Sequence, residues 1–289
     1  MLKRKGKTAE PLPVKTTEET KSKGDCNMKK IVALMLAVLM LAGCVALSSC
    51  SSGEKKKLIV GFDAEYPPYG YLDTETNTYV GFDLEYAKLV CDKLGYELEL
   101  RPIDWNLKDP LMDAGEINCI WNGFTINGRE NDYEWTKPYV DNTIVVLVRS
   151  DSGIKTLADL AGKVVTAQAD SSGESALKDK TELVASLKDG KYLTCKDYVT
   201  GFNELTASGV DALVIDESVG KYLMNGKSGY TILTETLKSE QYGVGFKKGN
   251  TELRDAVQGA MEELAADGNT IVDLAKKYGI DPSVLVITK

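Results

Sequence analysis

From Leu58 to Lys289 the chain alternates short strand patterns with helical ones, and that alternation restricts its fold more than any other feature. Leu58–Phe62 is a short apolar strand. Phe82–Leu94 places Ala87, Val90, Cys91 and Leu94 on one helical face. Tyr96, Leu98 and Leu100 alternate with Glu97, Glu99 and Arg101, a strand half turned to solvent. Ile117–Trp121, Thr143–Val148, Lys163–Gln168, Asp211–Ile215 and Tyr242–Phe246 read as further strands. Glu174–Leu187, Asp216–Met224, Thr251–Ala266 and Thr270–Tyr278 read as helices. Repeated strand–helix units predict α/β layers with mainly parallel pairing. The stretch is long enough for one large domain or two lobes, and no internal repeat is visible.

Upstream, Ile31–Gly53 carries no charged residue and follows directly on Lys29 and Lys30. A basic start, an apolar core and small residues at its end are the layout of a secretory signal. The end of that core, Leu41-Ala42-Gly43-Cys44, resembles a bacterial lipobox, in which the cysteine takes a diacylglyceryl thioether and becomes the new N-terminus. Leu47-Ser48-Ser49-Cys50 is a second candidate. Cys44 gives an apolar core of the usual length and is favoured; Cys50 leaves a cleaner Ser/Gly tether. The alternative is an uncleaved anchor, but a span needs about 20 apolar residues and Ile31–Leu47 falls short. Either way the rest of the chain lies outside the cytoplasm. Met1–Asn27 is rich in Lys, Thr, Glu and Pro without apolar period, and Met28 offers a second start. Residues 1–50 are thus an extension plus signal, and 51–57 a polar tether.

Residues 1–30 hold nine of the 35 Lys and Arg but four of the 43 Asp and Glu, so the remainder is strongly acidic. That argues against a nucleic-acid partner. There is no histidine and no CxxC pair, which leaves a zinc site without its usual ligands. Cys91 falls on an apolar helix face and Cys119 in an apolar strand; buried free thiols are the expectation and a Cys91–Cys119 disulfide the alternative. No metal or cofactor is expected.

Gly81-Phe82-Asp83-Leu84-Glu85-Tyr86-Ala87-Lys88-Leu89-Val90-Cys91 resembles the signature of the family 3 solute-binding proteins, which include the polar amino-acid receptors of ABC importers. Further segments resemble the same family in order and spacing: Val60–Tyr69 its first strand and loop, Trp121–Ile126 its pocket strand end, Leu157–Val165 its second-lobe entry, and Val210–Asp216 its second-lobe pocket strand. The resemblance implies a type II periplasmic binding protein, two α/β lobes joined by two crossing segments with the ligand between them. Lobe 1 would be 58–142 with 242–289 and lobe 2 143–241, the crossings falling near Val140–Val145 and Ser239–Gly243.

An amino-acid zwitterion needs donors for its carboxylate, an acceptor for its ammonium and walls for its side chain. The resemblance implies Arg129 as the bidentate carboxylate holder, with a surface arginine the plainer reading. Thr125 to Arg129 is one residue shorter than is common in the family. Thr125 and the backbone of Gly123 would line the pocket at a strand end. Ser171 and Ser172, after a strand and before a helix, would bind the carboxylate or cap the helix. Asp216 would accept the ammonium, or cap its helix. Asp63 would approach the side chain or ammonium, or serve a turn. Tyr66 and Trp105 would wall the side chain, Gln168 would add a polar contact, and Trp121 and Tyr69 would line or support the cleft. Asp170 stands where the family often has Gly, and an acid there is unfavourable unless it faces the ammonium, a cationic side chain or solvent. The side chain bound is open, because Asp63 and Asp170 admit a cation while Asn122, Gln168 and Thr125 admit a neutral amide or hydroxyl. The partners expected are a free amino acid, the importer's membrane subunits and the lipid bilayer, with the chain a monomer. Two other readings stand beside binding without chemistry: an enzyme resembling cyclohexadienyl dehydratase on the same fold, and a ligand-sensing receptor domain.

Overall fold

The computed structural model describes residues 55–288; the charge-free stretch, Cys44, Cys50 and most of the tether lie outside the described residues. The first sheet is built on β1 (Lys57–Phe62), whose Leu58, Val60 and Phe62 are fully buried. β1 pairs in parallel with β5 (Glu97–Pro102) on one side and β6 (Cys119–Ile120) on the other. Short β14 (Gly245–Phe246) and β7 (Glu134–Trp135) complete it with antiparallel pairings. Between β1 and β5 runs helix α1 (Phe82–Leu94), which buries Phe82, Tyr86, Ala87, Val90 and Cys91. It stops at Gly95, whose left-handed φ of 68° suits a residue without Cβ. The chain also forms a small antiparallel sheet of β2 (Glu65–Tyr66), β3 (Gly70–Asp73) and β4 (Thr78–Val80), whose strands are too short to show a period in sequence.

The second sheet is built on β8 (Val140–Arg149), a ten-residue strand buried over most of its length. β11 (Ala212–Asp216) lies antiparallel to β8 and parallel to β9 (Val165–Gln168), which in turn pairs in parallel with β10 (Leu193–Cys195). On its other edge β8 meets β12 (Tyr230–Ile232) and β13 (Lys238–Tyr242), both antiparallel. The expectation of mainly parallel pairing is therefore corrected: both sheets are mixed. The reason lies in the route of the chain, which leaves the first sheet along β8 and returns along β13. An outgoing and a returning strand that lie side by side must be antiparallel, here in register from Val140 opposite Tyr242 to Ile144 opposite Lys238.

Three further expectations change. Ile117–Trp121 is a strand only at Cys119–Ile120, because beyond it the backbone turns into the loop that carries Asn122 to Thr125. The helix expected over Glu174–Leu187 is two, α3 (Ser172–Lys178) and α4 (Thr181–Ser186), broken where Lys180 adopts φ −98° and ψ 60°. Tyr242–Phe246 divides between β13 and β14 as the backbone passes from one sheet to the other. Helices α2 (Lys108–Ala114) and α5 (Tyr198–Thr206) were not anticipated, although Asp197 caps α5 by accepting from the Thr200 amide and Phe202 and Leu205 are buried on it. After α5 come α6 (Glu217–Met224), α7 (Thr251–Ala265) and α8 (Thr270–Lys277). Cys91, Cys119 and Cys195 are buried free thiols. Among the described residues no helix is long and apolar enough to cross a membrane.

Candidate functional site

The carboxyl ends of the parallel strands of the two sheets face one another, the position at which open α/β sheets hold their ligands. A small cavity lies there. The first half supplies Tyr66 from β2, which follows β1, Trp105 from the segment after β5, and Asn122, Gly123, Thr125 and Arg129 from the loop after β6. The second supplies Gln168 at the end of β9, Ser171 and Ser172 just after it, Tyr198 at the start of α5, and Asp216 at the end of β11. Nine of the ten residues expected at the site are thus brought to one cavity. Asp63 is not among the lining residues; it stands behind Gln168 and takes a bond from that amide at 2.7 Å, while its other oxygen closes the turn to the Glu65 amide.

Arg129 reaches the cavity through a tight turn. Its amide bonds to the Ile126 carbonyl at 2.9 Å, and Gly128 between them takes φ 87°. The shortened loop is accommodated in this way. The guanidinium lies over the Phe124 ring, and Nη1 and Nη2 donate to the carbonyls of Thr125 (3.4 Å) and Asp170 (3.2 Å). Gly123 has φ 54°, and a Cβ there would meet the rings of Tyr66 and Tyr242 at 2.8 and 3.0 Å. Only glycine lets those rings close on the loop. The Gly123 amide donates to Asp83, a fully buried carboxylate on α1 that also takes the Tyr139 hydroxyl at 2.8 Å. Trp121 and Tyr69 are wholly buried behind the site. Trp121 packs against Tyr86, and the Tyr69 hydroxyl pairs with Ser218 across the two halves at 3.0 Å.

The two serines differ. Ser171 caps α3, accepting from the Glu174 amide at 3.1 Å and donating to the Gln168 carbonyl at 2.8 Å. Ser172 donates instead to Glu240 at 3.1 Å. Asp216 makes no capping bond; its Oδ1 accepts from Asn142 at 2.6 Å and from the Tyr242 hydroxyl. Two buried polar atoms of the cavity-lining residues, the Tyr198 hydroxyl and Asn122 Nδ2, have no hydrogen-bond partner among the described residues. An unpaired buried donor is costly, so both favour a polar ligand.

Glu240 on β13, like Tyr198, was not anticipated at the candidate site. Its Oε1 gathers the Thr125 hydroxyl (2.8 Å), Asn142 Nδ2 (2.9 Å) and the Ser172 hydroxyl, from both halves of the molecule. The only available signal was alternation: Glu240 and Tyr242 share the inward face of β13. Each hydroxyl has one proton. With those protons given to Glu240, Thr125 and Ser172 turn lone pairs to the cavity and can accept from an ammonium, not donate to a carboxylate.

Burial pushes the Glu240 carboxyl up to about 7, helped by the nearby charge of Asp216, against the bonds it accepts. Burial likewise raises Asp216, Asp83 (about 7) and Asp63 (about 6). A carboxyl raised in the folded state holds its proton where the unfolded chain has lost it. Folding therefore takes up protons between the ordinary carboxylate range and neutrality, and stability is lost as pH rises through about 7. Glu240→Gln imitates the protonated form. It is expected to remove up to about 1.4 kcal/mol per pH unit of that fall, one proton's worth, seen as a flatter melting temperature against pH.

A family model for bacterial extracellular solute-binding proteins, family 3, matches residues 58–281. The chain is 28% identical over 257 residues to the L-cystine-binding protein TcyJ of Escherichia coli, covering 86% of this chain and 94% of that protein. It is 29% identical over 259 residues to the arginine-binding extracellular protein ArtP of Bacillus subtilis, covering 87% and 98%. Among solved structures, an ABC uptake transporter substrate binding protein from Streptococcus pneumoniae with bound histidine superposes with a TM-score of 0.76 at 28% identity, covering 80% of this chain and 94% of that one.

Proposed function

We infer the activity from the premise that the chain belongs to the bacterial extracellular solute-binding proteins of family 3: it captures a free amino acid outside the cytoplasm and delivers it to an ABC importer. The fold is that of the type II periplasmic binding proteins. The observation that carries the reading is that a basic and an acidic side chain line one cavity, Arg129 after β6 of the first sheet and Asp216 at the end of β11 of the second. Residues 58–142 with 242–289 act as one lobe and 143–241 as the other, hinged on the β8–β13 ribbon. Arg129 holds the carboxylate, Asp216 accepts the ammonium with the lone pairs of Thr125 and Ser172 beside it, and Tyr66 and Trp105 wall the side chain. The Tyr198 hydroxyl and Asn122 Nδ2 add donors. Closure is favoured because only the closed form lets one ligand touch both lobes.

The anchor belongs to the same proposal. Cys44, or Cys50 in its place, carries the lipid that holds the monomer at the membrane beside the importer. Binding proceeds without chemistry. Glu240 has the raised carboxyl that an acid catalyst needs, but it is absent from the cavity lining and its Oε1 is held by three donors.

A ligand that binds only the folded state raises its melting point. Screened against the amino acids, at least one at about a hundredfold excess over its dissociation constant is expected to raise the melting temperature by about 5 °C. The protein is expected to turn over neither prephenate nor arogenate. A flat screen together with turnover would replace the binding reading by the enzymatic one.

A further inference from the structure

Asp170 is the residue that the zwitterion site leaves unused. It follows β9 with φ 57°, a conformation that costs most side chains but that Asp tolerates. Its amide donates to Glu174 Oε2 at 2.8 Å, which fixes it to α3. Every other polar contact it makes runs to the opposite half. Its carbonyl accepts from Trp105 Nε1 at 3.2 Å and from Arg129 Nη2 at 3.2 Å. Its carboxylate pairs with the ammonium of Lys108 at the start of α2.

Lys108 makes the arrangement informative. Its side chain is 2% exposed, whereas that of Asp170 is 56% exposed. The ammonium lies 5.2 Å from the Trp105 ring centre and 3.5 Å from the Trp105 carbonyl. Asp109, its other acidic neighbour, stands at 4.0 Å. A buried ammonium needs a close counter-charge, and the close one comes from the other half of the molecule. Position matters equally. Arg129 lines the cavity on one side and two outer grooves on the other, and Asp170 lines those grooves but not the cavity. It therefore stands outside the guanidinium, between the ligand site and solvent.

We propose that Asp170 is a cross-cleft clasp: its carboxylate on Lys108, beside the bonds its carbonyl takes from Trp105 and Arg129, holds the cleft shut, so it sets how slowly the ligand leaves. The retention half rests on the amino-acid reading above; the closure half does not. The contacts form on closure, so with a ligand bound they slow its dissociation.

Two variants isolate the clasp. Asp170→Gly keeps the carbonyl and suits the positive φ, so only the carboxylate is lost. Lys108→Met keeps the apolar stem and removes the charge. Without any amino acid, small-angle scattering is expected to give a larger radius of gyration for both than for the parent. With an amino acid found by the thermal screen, stopped-flow is expected to show dissociation about fivefold faster in each. The double variant should be no faster than either single one, since both remove the same ion pair. Unchanged scattering and unchanged dissociation in Asp170→Gly would overturn the clasp. So would effects that simply add in the double variant. An absence of amino-acid binding in the parent would instead overturn the functional reading, while the scattering comparison would still decide closure.

Discussion

Asp216→Asn is expected to weaken amino-acid binding by at least about a hundredfold while leaving the fold as stable as before, or more so, at neutral pH. The two halves of that expectation have one cause. Asp216 is 1% exposed, and burial holds its carboxyl above the ordinary carboxylate range. An acid raised in this way costs the folded state stability once it ionises, so replacing it with a neutral amide of the same shape removes a burden at pH 7. The amide oxygen can still accept from Asn142 and Tyr242, which now bond to Oδ1. What it cannot do is offset the charge of an ammonium brought out of water. Removing one partner of a desolvated charge pair costs several times more than the pair is worth in solvent. Calorimetric titration beside thermal melting separates the two effects. Affinity within threefold of the parent would remove Asp216 from the ammonium site.

Arg129→Ala is expected to produce a loss of similar size, about a hundredfold or more, with the melting temperature of the ligand-free protein little changed. The turn that presents Arg129 is made by its backbone: the amide bonds to Ile126, and the carbonyl accepts from Trp135 Nε1 at 2.9 Å. Alanine keeps both. Only the fork of donors disappears, and with it the partner of the ligand carboxylate. Arg129→Lys restores the charge without the planar fork and should recover only part of the affinity. Retained affinity in the alanine variant would place the carboxylate elsewhere in the cavity.

Much of the fold was legible because its signals are local. The period of Phe82–Leu94 matches the helix that forms, and the alternation before Pro102 matches β5. The hairpin strands β2 to β4, two to four residues each, were too short to carry a period. α5 had a readable start in Asp197 and was passed over, and with it Tyr198, whose unpaired hydroxyl faces the cavity. Mainly parallel pairing was the wrong expectation because strand–helix alternation does not record that the chain crosses to the second sheet and comes back.

By itself the sequence determined an α/β fold of the family 3 type, and the resemblance to that family, carried by short segments, is what pointed to Arg129, Asp216, Tyr66, Trp105 and the β6 loop. It also carried the lipobox-like Leu41–Cys44, which lies outside the described residues. Only the tertiary structure decided how the polar atoms of the site divide their bonds. The Thr125 and Ser172 hydroxyls give their protons to Glu240, Asp63 withdraws behind Gln168, and Asp170 turns away from the cavity to Lys108. Each of those bonds joins residues more than sixty positions apart. A donor has few protons and an acceptor few lone pairs, so which partner takes them is settled by what folding brings within three ångströms, and no local pattern records it.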